Sequence, residues 1–256
     1  MTFPGAIGIC FDEIEQAKAS LIYLLGADDA GKTMLSKELA NQLILKNKKV
    51  AVIDADSGQS SWLPLTLSLN YAQREFRQLS ELSLADWDFM PSYDLLECFE
   101  RYIRLMGKWI RKAKEEVDYC LVDSNGDIRE ALKLRELEIL NPDLVVALQR
   151  GSELEPILAN LENRILRLPV PEEVKRKSWK QRKGIRDEKL KLYFKDSSMQ
   201  TINCEIPSDF THRIVGLYAR EKFSGLGIAE DRDVKRLSEN YDLGMRGDLN
   251  SREKQL

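Results

Sequence analysis

Eight consecutive residues, Gly26-Ala27-Asp28-Asp29-Ala30-Gly31-Lys32-Thr33, restrict this chain more than any other feature does. They match GxxxxGK[ST] at every fixed position. That spacing serves one geometry: the glycines let successive backbone N–H groups turn inward, and the helix that follows aims its positive end at bound phosphates. The backbone from Gly26 through Met34 is therefore expected to ring a nucleoside triphosphate. Lys32 would reach the β- and γ-phosphates, and the Thr33 hydroxyl would ligate Mg²⁺. The flanks supply the context a chance match would lack. Ser20 to Leu25 is a short apolar run that reads as a buried parallel strand. Lys32 to Leu45 carries Leu35, Leu39 and Leu43 at helical spacing.

The rest of the chain alternates in the same way. Val50 to Ile53 reads as a strand ending at Asp54, and Tyr119 to Val122 as one ending at Asp123. Asp143 to Leu148 and Arg164 to Leu168 read as two more. Leu95 to Val117 is a long helical stretch with Leu96, Phe99, Ile103, Met106 and Ile110 on one face. Such alternation predicts an α/β P-loop fold, a mostly parallel sheet covered by helices on both faces. Acidic residues recur at strand C-termini, the edge where these sheets bind ligands. Beyond Pro171 the pattern changes: Glu172 to Phe194 reads as one basic helix, and Arg213 to Tyr218 as a short strand. From about Glu230 the chain is heavily charged, and this tail is expected to be mobile or ordered only against a partner. The expected division is a P-loop domain over 1–200 and a small C-terminal segment over 201–256, through which protein partners could dock.

Composition narrows the setting. With 256 residues and 43% hydrophobic content, the chain can bury one substantial core. A net charge of −3 with 32% charged residues neither demands nor excludes a nucleic-acid partner, so a local basic patch must carry that claim. Cys10, Cys98, Cys120 and Cys204 show no CxxC pairing and read as small buried hydrophobes in a reducing compartment. No apolar run approaches the roughly 20 residues that span a bilayer, and no signal peptide is read at the N-terminus. A soluble, cytoplasmic protein with no membrane partner is expected. The lone histidine, His212, reads as structural.

A second motif, Asp54-Ala55-Asp56-Ser57-Gly58-Gln59, follows its strand directly. Carboxylates two residues apart at a strand end can point to the same side, toward Mg²⁺ and an attacking group. Transfer of phosphate to a hydroxyl needs an acceptor for the hydroxyl proton opposite the leaving ADP, and Asp56 is the candidate.

Together these motifs resemble the polynucleotide 5′-hydroxyl kinases, a family that includes the kinase subunit of eukaryotic pre-mRNA cleavage factor, the nucleolar pre-rRNA-processing kinase and archaeal relatives. The family writes its P-loop GxxDxGK[ST], with Asp29 at the acidic position, and its second motif DxDxGQ, matched from Asp54 to Gln59. Leu121 to Gly126, Asn141 to Val146 with Gln149, and Leu166 to Pro169 resemble further family strands, so the likeness runs from about Leu21 to Phe194. It implies a kinase that uses ATP and Mg²⁺ on the 5′-hydroxyl end of RNA or DNA. Asp54, Asp56, Asp123 and Thr33 would surround the metal.

The resemblance also gives the basic segment a role. From Glu172 to Lys191 there are nine Lys/Arg against four Asp/Glu. In the family this segment, about 171–194 here, is a lid whose arginines close over the transferring phosphoryl group. Arg182 and Arg186, one helical turn apart, are the expected pair. Lys177 stands where the family has its first lid arginine, and is expected on the substrate side with Gln59 and Thr66. Two departures concern the acceptor. The family's threonine-and-glycine clasp keeps Pro64 and Thr66 here but lacks the glycine. Asp127 replaces an aromatic residue, leaving Trp62 or Trp179 as the stacking surface. A competing reading is a nucleotide-dependent switch or assembly module in RNA processing that binds ATP without turnover.

Overall fold

The computed structural model describes residues 2–196, 198–201, 213–219, 222–230 and 233–236. His212, Cys204 and most of the charged tail lie outside them. Seven strands form the main sheet: β1 (Leu21–Gly26), β2 (Val50–Ala55), β3 (Thr66–Ala72), β4 (Ser83–Phe89), β5 (Tyr119–Ser124), β6 (Leu144–Gln149) and β7 (Ile165–Pro169). Their order is β4-β3-β2-β5-β1-β6-β7. The five strands β2, β5, β1, β6 and β7 run parallel; at one edge β3 pairs antiparallel with β2, and β4 antiparallel with β3. Every residue of β1 and β2 is buried, as continuous apolar runs covered on both faces should be. The Asp143 carboxylate accepts from the Ser20 and Leu21 N–H groups at 2.9 and 2.8 Å, fixing the start of β1.

Helices cover both faces. On one side lie α1 (Phe3–Ala17) and α2 (Lys32–Leu45), which bury Phe3, Ala6, Cys10, Ile14, Leu35, Leu39 and Leu43. On the other lie α3 (Phe99–Glu116) and α4 (Glu130–Leu140), which bury Tyr102, Met106, Trp109, Leu132 and Leu137. A single turn, α5 (Glu155–Leu158), adds to this side. The expected 95–117 helix begins later, because Leu95–Cys98 forms a tighter 3₁₀ turn capped by Asp94. Leu96 consequently faces solvent at 63% exposure, and Ile103 is only half-buried.

The basic segment also differs from the single helix expected over 172–194. The helix α6 spans Trp179–Tyr193 and starts at a capping box, with Gln181 N–H donating to Ser178 Oγ and Ser178 N–H to Gln181 Oε1. Residues 172–178 are not helical, because their backbone is used elsewhere: Lys177 N–H donates to Asp29 and Val174 carbonyl accepts from Arg150. Past α6, the strands β8 (Ser198–Thr201), β9 (Ile214–Ala219), β10 (Lys222–Glu230) and β11 (Asp233–Arg236) form a second, antiparallel sheet in the order β8-β11-β10-β9. It meets the main sheet through an apolar cluster of Leu63, Leu65, Trp87, Phe89, Tyr193, Phe223 and Leu226. The Tyr218 hydroxyl donates to Asp88 at this junction. No helix among the described residues is long and apolar enough to cross a membrane.

Candidate functional site

At the C-terminal edge of the parallel strands, the turn from Gly26 to Gly31 leads into α2. Gly31 adopts φ 91°, and the rings and methyls of Phe3 and Val174 pack over it, leaving 3.1 Å to an added Cβ. Only glycine combines that backbone with that closeness. Lys32, the first residue of α2, is buried, and its ammonium donates to the carbonyls of Gly26 and Ala27 at 2.7 and 3.0 Å. Burial pulls its pKa down, while the Asp123 and Asp56 carboxylates pull the other way.

Those carboxylates form a buried group below the loop. Asp54 and Asp123 end neighbouring strands and are register partners across β2 and β5. Burial pushes the Asp54 carboxyl up to about 6, opposed by the Ser61 N–H, which donates to it at 2.6 Å. Burial and the charge of Asp54 push Asp123 up to about 7, while the Thr33 hydroxyl bonds to it and works downward. Burial likewise raises Asp56, against the pull of Lys32; its Oδ1 is held by the N–H groups of Gly58 and Gln59 at 2.9 and 3.0 Å. The Oδ1 of Asp123 is buried with no hydrogen-bond partner among the described residues. An orphaned carboxylate oxygen beside a hydroxyl and two further carboxylates suits a hard divalent cation such as Mg²⁺. No group of three or more His, Cys, Asp or Glu among the described residues could hold a metal alone.

Two cavities flank this edge. The larger, about 530 Å³, runs along the P-loop from Asp28 to Met34 and is walled by Phe3, Val174, Lys177 and Lys189. The smaller, about 350 Å³, lies beyond Asp56 and is lined by Tyr93, Asp94, Tyr102, Asn125, Gly126 and Arg129. They share Asp28, Asp56, Gly58, Gln59, Arg182 and Arg186. The lid helix roofs the shared wall and is tied down at two points. At its N-terminal end, the Asp29 carboxylate accepts from Lys177 N–H (2.8 Å), Lys177 Nζ (3.1 Å) and Arg182 (2.6 Å). Further along, Lys189 Nζ donates to the Ser60 carbonyl at 2.6 Å.

The structure thus brings together Asp28, Asp29, Ala30, Gly31, Lys32, Thr33, Met34, Asp56, Gln59, Lys177, Arg182 and Arg186 around the two cavities, with Asp54 and Asp123 buried beneath. Lys177 stands on the P-loop side. Thr66 lines neither cavity: it is fully buried at the head of β3, and its hydroxyl donates to the Leu63 carbonyl at 2.7 Å. Trp62 donates to Asn70, Trp179 is exposed, and neither lines a cavity. Of the two aromatics lining the smaller cavity, Tyr102 is buried, whereas Tyr93 is 46% exposed, with the Arg186 guanidinium 4.9 Å from its ring centroid. Tyr93 carries no motif, so nothing in the sequence singled it out. Lys189, three residues after Arg186, could have been found from helical spacing alone.

Against known families, residues 26–196 match the model described as the mRNA cleavage and polyadenylation factor CLP1 P-loop. The chain belongs to the CLP1 P-loop family. Within reach of this family match lie both motifs and the whole lid helix. The chain is 36% identical over 190 residues to the polyribonucleotide 5′-hydroxyl-kinase of Pyrococcus horikoshii, covering 73% of this chain and 53% of that protein. With the polyribonucleotide 5′-hydroxyl-kinase of Methanocaldococcus jannaschii it shares 35% over 223 residues, covering 85% and 60%. It therefore spans between half and two thirds of these relatives' length. A solved structure concerned with the interface between Pcf11p and Clp1p, and with ATP loss in a point mutant, has the same fold. That likeness has a TM-score of 0.67 at 14% identity and covers 98% of this chain and 78% of the other.

Proposed function

We propose that this chain is an ATP-dependent polynucleotide 5′-hydroxyl kinase, transferring the γ-phosphate of ATP to the 5′-OH of RNA or DNA. The carrying observation is the pair of cavities that meet at Asp56 under Arg182 and Arg186. A nucleotide-dependent switch needs one phosphate site. A transferase needs a donor site and an acceptor site with one wall in common. The names of the archaeal relatives support the same reading.

In this reading the larger cavity takes ATP, with the P-loop N–H groups and Lys32 on its phosphates. Thr33, Asp54, Asp56 and Asp123 would hold Mg²⁺, directly or through water, and the ion would supply positive charge against the triphosphate. The smaller cavity takes the 5′ end, whose terminal base stacks on Tyr93. Asp56 accepts the proton of the attacking hydroxyl. Arg182 and Arg186, held over the junction, meet the charge that builds on the transferring group. Gln59 orients the acceptor end, and Lys177 keeps the lid on the P-loop. Where the substrate is RNA, the activity would serve RNA processing.

Incubating the protein with γ-labelled ATP and a 5′-hydroxyl oligonucleotide tests the reading. Label at the oligonucleotide 5′ end is expected. Label released only as inorganic phosphate, or not at all, would return the chain to the switch or assembly reading.

A further inference from the structure

Below the smaller cavity, and outside both motifs, lies a buried charged network. Lys133 and Glu136, one turn apart on α4, are 1% and 0% exposed at their side chains and pair at 2.7 Å. Glu136 Oε1 accepts from the hydroxyls of Tyr23 and Tyr102, at 2.5 and 2.7 Å. The ammonium of Lys133 has three donors, and all are used: Glu136 Oε2, Tyr23 hydroxyl at 3.0 Å, and Asn125 Oδ1 at 3.2 Å. The bond to Asn125 is the one by which this ammonium reaches the cavity, because Asn125 lines the cavity. Asn125 Oδ1 also accepts the Asp127 N–H at 3.0 Å, so one amide oxygen organises the turn. The next residue, Gly126, sits so close to the P-loop that a Cβ would lie 1.8 Å from Asp28 Oδ1. Asp28 lines both cavities.

A buried ion pair adds little net stability over apolar residues of the same volume, so stability alone does not account for this one. We propose that Lys133 is a positioning residue for the acceptor cavity. Through the Asn125 amide it fixes the Asn125–Gly126 turn against Asp28, which sets the wall that receives the 5′-terminal nucleotide. This rests on the reading of that cavity as the acceptor site.

The test uses the double variant Lys133→Met/Glu136→Gln, since Lys133→Met alone strands a buried carboxylate. The glutamine keeps an acceptor for Tyr23 and Tyr102. Steady-state kinetics with ATP and a 5′-hydroxyl oligonucleotide should show the acceptor KM raised about tenfold, the size of one lost hydrogen-bond contact, with the ATP KM near parental. Amide exchange across residues 125–127 should accelerate. Asn125→Leu, which removes the bond to Lys133 together with the acceptor for the Asp127 N–H, should raise the acceptor KM at least as much. Combining it with the double variant should add nothing further. An unchanged acceptor KM in the double variant, or an equal rise in both KM values, would overturn the proposal and leave the network a packing element. A parental protein that labels no oligonucleotide would overturn the acceptor reading itself, and the proposal with it.

Discussion

Asp29 of the P-loop holds Arg182 of the lid at 2.6 Å, with its own carboxylate only 2% exposed. The acidic position of the loop motif is therefore the lid's docking point as well as part of the phosphate cradle. Burial alone would raise the Asp29 carboxyl, but the Lys177 N–H and ammonium and the Arg182 guanidinium hold it below its ordinary value. A carboxyl depressed in the folded state contributes above the unfolded pKa and is lost as pH falls through the folded one. The docking should persist through neutral and mildly acidic pH and fail only below about pH 4. Asn at this position keeps the shape and loses the charge. Asp29→Asn should make the 171–178 segment cleave faster under limited proteolysis at pH 7; unchanged cleavage would remove Asp29 from lid control.

Replacing Lys32 with alanine should lower turnover by roughly the 3–4 kcal/mol typical of a lost charge-stabilising contact. Lys32 contacts loop carbonyls rather than the apolar core. Thermal unfolding should accordingly shift little. Turnover near the parental rate would mean that Lys32 does not meet the transferring phosphate.

Asp56→Asn separates chemistry from nucleotide binding. In the proposed reading the nucleotide is held mainly by loop N–H groups, whereas Asp56 faces both cavities. Transfer should fall far more than ATP affinity, measured side by side by turnover and by titration of a fluorescent nucleotide. Equal losses in both would reassign Asp56 to metal retention.

Much of this site was legible in the sequence because a P-loop and DxDxGQ each fix short-range geometry. The strand-to-helix context of Gly26 to Leu45 and the strand ends at Asp54 and Asp123 stand where periodicity put them. What escaped depends on distant packing. The antiparallel pair β3 and β4 has no sequence mark that separates it from parallel strands. The start of α6 is set by Ser178 and by Asp29, 149 residues earlier, rather than by the charge run. Tyr93 reaches its cavity from an irregular stretch, and Thr66 turns inward because β3 begins at that residue. Lys133 carries no motif, and only tertiary packing buries it.

Tyr93→Ala should raise the KM for a single-stranded oligonucleotide about tenfold or more, since base stacking on an aromatic contributes roughly 1–3 kcal/mol. Tyr93→Phe keeps the ring and should stay close to the parent. Matching losses for ATP and oligonucleotide would move Tyr93 out of the acceptor site.

In the proposed function the lid arginine acts on phosphoryl transfer between two sites, and Arg182→Ala isolates that role. Single-turnover assays with γ-labelled ATP and a 5′-hydroxyl oligonucleotide would follow label into the oligonucleotide and into free phosphate. The parent should place label at the 5′ end, and Arg182→Ala should slow this step by about a thousandfold, the scale of a lost arginine finger. ATP affinity should change much less. A variant that labels the oligonucleotide at the parental rate would contradict the account.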